Sequence, residues 1–174
     1  MVRGSPNPLH FGLPARLRKA RKLSGMKPAA LALRVGRDSE VVANIEANER
    51  IPTVGTVARL ASGLQISAGW LGFGVGEPVS QGAASSTDGM STRLAAARAA
   101  HGLTKAALAR LADLSPSAFA KIENGGQTGV DVLAALAKAL GVSPAWLAYG
   151  EGPQVLPSRR RARAVTAADA PALG

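Results

Sequence analysis

The chain contains no cysteine, which excludes a disulfide framework, a thiolate metal site and a cysteine nucleophile. Histidine is almost as scarce. His10 and His101 stand far apart, and His101 before Gly102 reads as the end of a helix rather than a metal ligand. There is no HExxH motif and no glycine-rich phosphate loop, so neither an enzyme nor a metal or cofactor is expected. Aromatic residues make up 3% of the chain, too few for a sheet built on aromatic and β-branched side chains. Abundant alanine, leucine and valine favour small helical cores instead. No run approaches the roughly 18 consecutive apolar residues of a membrane helix. The opening MVRGSPNPLHFGLP has no apolar signal segment, so a cytoplasmic protein without a membrane partner is expected.

What the chain does have is positive charge. Twenty-one basic against 11 acidic side chains leave a formal charge of +10, which suits a polyanionic partner without separating DNA, RNA and anionic membrane.

One stretch organises the rest. Thr104 to Gly126, TKAALARLADLSPSAFAKIENGG, holds two short helical patterns around a polar turn. Leu108 and Leu111 fall on one face of the first pattern, beside the small Ala109 and Ala112, and Thr104 is its N-cap. Ser115 caps the second, with Pro116 at the first helical position, where a fixed φ helps and a missing N–H costs nothing. Phe119 and Ile122 supply the buried stripe. Asp113 occupies a turn position where φ is often positive, and Gly125 is the expected left-handed residue after the second helix.

The Leu108-Ala109 pair, the Ser115 cap, Phe119, Ile122 and the run Lys121-Ile122-Glu123-Asn124-Gly125 resemble the helix-turn-helix of the lambda-repressor/Cro (XRE-type) family, transcription regulators of bacteria and phages. The same pattern recurs earlier. Leu31, Ala32, Val42, Ile45 and Glu46 match Leu108, Ala109, Phe119, Ile122 and Glu123 at an offset of 77. One extra residue then shortens the offset to 76, at which Trp70 and Leu71 match Trp146 and Leu147. The chain is a tandem duplication of a unit of about 65 residues.

Helices are expected at 14–23, 28–35, 39–47, 54–63 and 68–73, and again at 92–100, 105–112, 116–124, 129–140 and 144–149. Trp70 and Trp146 are read as closing the two cores. The resemblance implies an all-α fold of two tandem five-helix lambda-repressor-like domains. Their expected bounds are 14–74 and 91–153, with a flexible arm at 1–13, a linker at 75–90 and a basic tail at 154–174 carrying Arg159, Arg160, Arg161 and Arg163.

The same resemblance implies a site. The N-terminal part of the second helix of the motif enters the major groove of double-stranded DNA, and the N-terminus of the first meets the backbone. In the second unit this assigns Ser115, Pro116, Ser117, Ala118 and Lys121 to the groove, with Lys105 and Gln127 near phosphates. Of these, Lys121 is the one able to contact a guanine edge strongly. In the first unit the groove set is Asp38, Ser39, Glu40, Val41 and Asn44, with Pro28 and Arg50 toward the backbone.

Two readings of the first unit stay open. Asp38 caps its helix while Glu40 favours the positive helix end, or Glu40 accepts from a cytosine amino group while Asn44 reads adenine. In either, two carboxylates facing a polyanion weaken non-specific binding. Arg37 stands where the family has an apolar turn residue, so a repacked turn is expected there. Arg21 and Arg98 occupy positions from which, in this family, an arginine reaches the glutamate closing the recognition helix, here Glu46 and Glu123.

The functional expectation is a sequence-specific DNA-binding regulator, working as a homodimer or as a single-chain pseudo-dimer. The alternative is a protein-interaction or antitoxin-like adaptor whose first unit serves dimerisation or partner binding, a reading favoured by Asp38 and Glu40.

Overall fold

A computed structural model describes residues 12–79 and 86–155; the expected arm before Gly12 and the tail arginines lie outside the described residues. Ten helices and no strand occur in the described residues. The first unit holds α1 (Leu13–Leu23), α2 (Pro28–Arg34), α3 (Glu40–Glu46), α4 (Val54–Leu64) and α5 (Ala68–Phe73), and the second α6 (Met90–Ala100), α7 (Lys105–Leu111), α8 (Pro116–Glu123), α9 (Val130–Ala139) and α10 (Pro144–Tyr149).

Short helices such as these need their ends fixed, because isolated helices under about 12 residues are marginal in water. Five side chains do this at N-termini: Thr53, Ser67, Thr104, Ser115 and Ser143 each accept from the backbone N–H three residues on. Proline opens α2, α8 and α10. Gly74 and Gly150, at φ 67° and 71°, close α5 and α10 in the left-handed conformation.

One apolar core runs through both units, and each contributes its own buried residues to it. Leu13, Leu17, Leu31, Val42, Ile45, Leu60 and Leu71 fill the first, and Leu94, Leu108, Phe119, Leu133, Leu136 and Leu147 the second, all at 2% exposure or less. Burying each of these leucines is worth about 1.5–3 kcal/mol. Leu13 is the first residue of α1 and buried, although its position follows a proline- and glycine-rich stretch. Trp70 and Trp146 are half-buried and pack against the core from its edge. Leu111 departs from the expected stripe, being 62% exposed at the end of α7 while Leu108 is fully buried. With so short a helix, one inward row satisfies the core, and Leu111 falls outside it.

A repeated arginine ties each first helix to its last. Arg16 donates to the Leu71 and Gly72 carbonyls, and Arg93 to those of Leu147 and Ala148. These carbonyls lie in the last turn of α5 and α10, where no intrahelical donor remains for them. Burial lowers the pKa of both guanidiniums, from a value so high that they stay charged.

The units meet along a seam in which equivalent residues face each other. Thr53 and Gly129 form an antiparallel bridge. The Val54 N–H donates to the Thr128 carbonyl at 2.9 Å, and the Val130 N–H to the Pro52 carbonyl at 3.1 Å. Positions 53 and 129, 54 and 130, and 52 and 128 correspond in the repeat, so the seam is self-complementary about a local two-fold axis. α5 and α10 cross beside it, with the Phe73 and Tyr149 rings 6.2 Å apart at a tilt of 39°. Tyr149 donates its hydroxyl to the Val54 carbonyl at 3.1 Å. Burial, with the Glu151 charge adding to it, holds that phenol well above its usual pKa and keeps it a donor.

The ends of the connecting segment belong to the folded units. Val79 bridges to Ile66, and the Pro78 carbonyl accepts from Ser67. On the far side, Asp88 lends its carbonyl to Arg93 at 3.1 Å.

Candidate nucleic-acid interface

In the second unit α7 and α8 are joined by Ala112, Asp113 and Leu114. Asp113 takes φ 56°, and the Leu114 N–H returns to the Ala109 carbonyl at 2.8 Å, which folds α8 across α7. Ser115 then caps α8 through the Ala118 N–H at 3.2 Å. With Phe119 and Ile122 inward, the outward face carries Ser115, Pro116, Ser117 and Lys121, all exposed, with Ala118 half-buried beside them. Lys121 thus stands exposed on the outward face of α8. Gln127, expected near phosphates, is exposed and lies against Gly55 of the first unit: a Cβ at Gly55 would stand 2.7 Å from its Oε1.

The first unit reproduces this backbone with other side chains. Gly36, at φ 65°, replaces Asp113, and the Arg37 N–H reaches the Ala32 carbonyl at 2.9 Å as Leu114 does in the second turn. The expected repacking is therefore confined to the side chain. Arg37 donates weakly to Thr56 Oγ1 at 3.5 Å, and its buried Nε has no hydrogen-bond partner.

Two expectations for α3 are corrected. Ser39, not Asp38, stands at the N-cap, and it makes no side-chain cap bond; the first turn closes instead through the Val41 N–H on the Asp38 carbonyl at 3.0 Å. Ser39 has helical torsions, φ −54° and ψ −28°, unlike the extended residues that present a side-chain oxygen at the other capped helix starts, so the entry closes through the backbone. Val41, placed in the groove set, is 7% exposed. It lies one turn from Ile45 and shares the inward row, where an apolar side chain gains by burial. Asp38, Ser39 and Glu40 remain outward and exposed, and Asn44 is half-buried.

A family model described as helix-turn-helix matches residues 17–71 and again 94–147. The chain belongs to the lambda-repressor/Cro-like helix-turn-helix family. That family comprises DNA-binding transcription regulators, not enzymes, and its ligand is double-stranded DNA. No curated protein and no solved structure matches the chain. Among the described residues no helix is long and apolar enough to cross a membrane.

In this helix-turn-helix protein each recognition helix is anchored at its far end by an ion pair. Arg21 grips Glu46 with two bonds, Nε to Oε1 at 2.6 Å and Nη2 to Oε2 at 2.9 Å, and its Nη1 donates to the Met26 carbonyl. The hydrogen bond to Glu46 raises the Arg21 pKa against the opposing effect of burial. Arg18, unmarked in the sequence, adds a bond to the Glu46 carbonyl at 2.9 Å. Arg18 Nε also stands 3.4 Å from Glu46 Oε2, and the second unit likewise sets two cations on its glutamate. Arg98 Nε takes Glu123 Oε1 at 2.7 Å, and Lys105 Nζ takes Oε2 at 2.7 Å. Burial opposes ionisation of Glu123, but the Lys105 and Arg98 hydrogen bonds and charges outweigh it and hold the carboxyl below its usual range.

Lys105, expected at a phosphate, therefore rests on Glu123 with 57% of its side chain exposed. Its counterpart Pro28 is half-buried and carries no charge, while the preceding Lys27 is exposed at the N-cap of α2. Lys27 was legible only as a cation flanking the motif. Arg50 is exposed at the end of the loop after α3.

Proposed function

We propose that the chain is a sequence-specific DNA-binding repressor of transcription, acting in the cytoplasm at the nucleoid, in which one chain supplies both recognition helices as a pseudo-dimer on one face of a duplex. The observation that carries this reading is the seam, where equivalent residues of two helix-turn-helix units are paired about a local two-fold axis. Such an arrangement supplies within one chain the symmetry that ordinary dimers match to half-sites about 34 Å apart. Covalent linkage within one chain raises the local concentration of the second unit at its half-site.

The outward residues of the units differ: Ser115, Pro116, Ser117 and Lys121 in one, Asp38, Ser39, Glu40 and Asn44 in the other. The preferred site is therefore an asymmetric pair of half-sites. Lys121 reads a base in its half, while the exposed Arg50 and the exposed part of Lys105 face the backbone, from which Gln127 is drawn aside to Gly55. The exposed Asp38 and Glu40 favour one rival, an adaptor whose first unit binds a protein partner.

Selection from random duplexes tests the proposal, followed by binding of Lys121→Ala to the selected site. The variant should lose about 1–3 kcal/mol there and relax one base position. Equal loss on every duplex would make Lys121 a phosphate contact, and selection of no sequence would favour the adaptor.

A further inference from the structure

The places where the seam departs from two-fold symmetry decide which units can meet across it. α5 and α10 approach so closely that a Cβ added at Gly69 would stand 2.8 Å from the Ala145 Cβ and 2.8 Å from Glu151 Oε2, the latter being the end of a flexible side chain. A methyl group on a helix has no rotamer by which to move aside, and carbon atoms attract only near about 3.5–4.0 Å. Positions 69 and 145 are equivalents. Pairing the second unit with the second unit of another chain would therefore set Ala145 on Ala145, with the same overlap.

Pairing the first unit with another first unit would avoid that overlap and lose hydrogen bonds instead. In the chain as it stands, Glu151 Oε2 accepts from the Ser67 hydroxyl at 2.5 Å and from the Gly69 N–H at 2.9 Å, capping the start of α5 from across the seam. The residue equivalent to Glu151 is Val75, which cannot accept. The equivalent of Tyr149 is Phe73, which has no hydroxyl for the backbone carbonyl that Tyr149 reaches at 3.1 Å. Each of these losses leaves a polar group at the seam without its partner.

We propose that the seam is a heterotypic lock: Gly69, Ala145, Tyr149 and Glu151 fit α5 of the first unit to α10 of the second, and fit neither unit to a second copy of itself. The proposal rests on the paired units of the pseudo-dimer reading and adds the rule for their pairing. Its consequence is that two copies of the same unit do not pair through this surface, while the tether within one chain favours its own two units over a head-to-tail pairing between chains. The order of the two half-sites on DNA is then fixed by the chain.

Hydrogen exchange on the full chain tests this, because two amides report the seam directly. Val54 and Val130 are the first residues of α4 and α9, where an N–H has no partner within its own helix, and both bond across the seam. In the wild type both should be protected. Gly69→Ala should lower their protection at least about tenfold while mid-helix amides such as Leu60 and Leu136 keep theirs. The exchange of the two side chains, Gly69→Ala with Ala145→Gly, leaves only the flexible Glu151 carboxylate to shift and should restore both to within about threefold.

If Gly69→Ala also exposes Leu60, rescue by the double variant still supports the lock, and its failure overturns it. Unchanged exchange in Gly69→Ala overturns it as well. Native mass spectrometry of Gly69→Ala should show single chains; dimers through the freed α10 would contradict the exclusion assigned to Ala145. Unprotected Val54 and Val130 in the wild type would instead remove the pairing itself.

Discussion

Glu46 and Glu123 close the two recognition helices with the same carboxylate, one held by the buried Arg21 with the exposed Arg18 at 3.4 Å, the other shared by Arg98 and the exposed Lys105. The second arrangement has a pH signature. Because its folded pKa is depressed, Glu123 contributes stability that is fully present above its unfolded value near 4.5 and is lost as pH falls through the folded value. Thermal melts of wild type and Glu123→Gln should therefore differ at pH 7 and converge toward pH 3; a gap independent of pH would remove the charge from the account. Arg37 offers the opposite case. Its Nε is buried without a partner, where the second unit has Leu114. An unsatisfied buried donor costs about 1–3 kcal/mol, so Arg37→Leu should stabilise the first unit by about 1 kcal/mol in urea melts. A loss of stability would mean that the 3.5 Å contact with Thr56 outweighs the orphaned Nε.

Helix entry separates the two recognition helices at the scale of the element. Ser115 caps α8, and Ser115→Ala should cost about 1 kcal/mol. Ser39 makes no such bond on α3, and Ser39→Ala should stay within about 0.5 kcal/mol. Denaturant midpoints of the two variants check the contrast, and equal losses would contradict it. All ten helices were legible, within two residues at their ends, because caps, prolines and glycines punctuate the sequence so densely. The α3 entry was not. Asp38 and Ser39 are both good cap residues, and the choice between them depends on a backbone torsion that neither side chain dictates. Val41 was misplaced for a related reason: its position follows the groove-facing Ala118 by homology of repeat, while its own apolar side chain pairs with Ile45. The bidentate grip on Glu46 followed from the family pattern, whereas the Arg18 and Lys105 contacts had no local signal.

For the whole molecule, duplication was visible in the offset of 77, but the way its halves meet was not. Part of the seam is made by backbone groups of Pro52, Val54, Thr128 and Val130, which leave no pattern in side chains. Its trace in the sequence is a set of mismatches between the repeats, Gly69 against Ala145, Phe73 against Tyr149 and Val75 against Glu151, which read as drift until the structure sets them face to face. One chain is proposed to offer two recognition helices to adjacent turns of one duplex, and the stoichiometry of the complex on the selected site, by native mass spectrometry together with hydroxyl-radical footprinting, decides this. The account predicts one chain per duplex, with protection over two adjacent turns on one face and different base contacts in each half. Two chains on a symmetric palindrome, each protecting one turn through α8 alone, would contradict it.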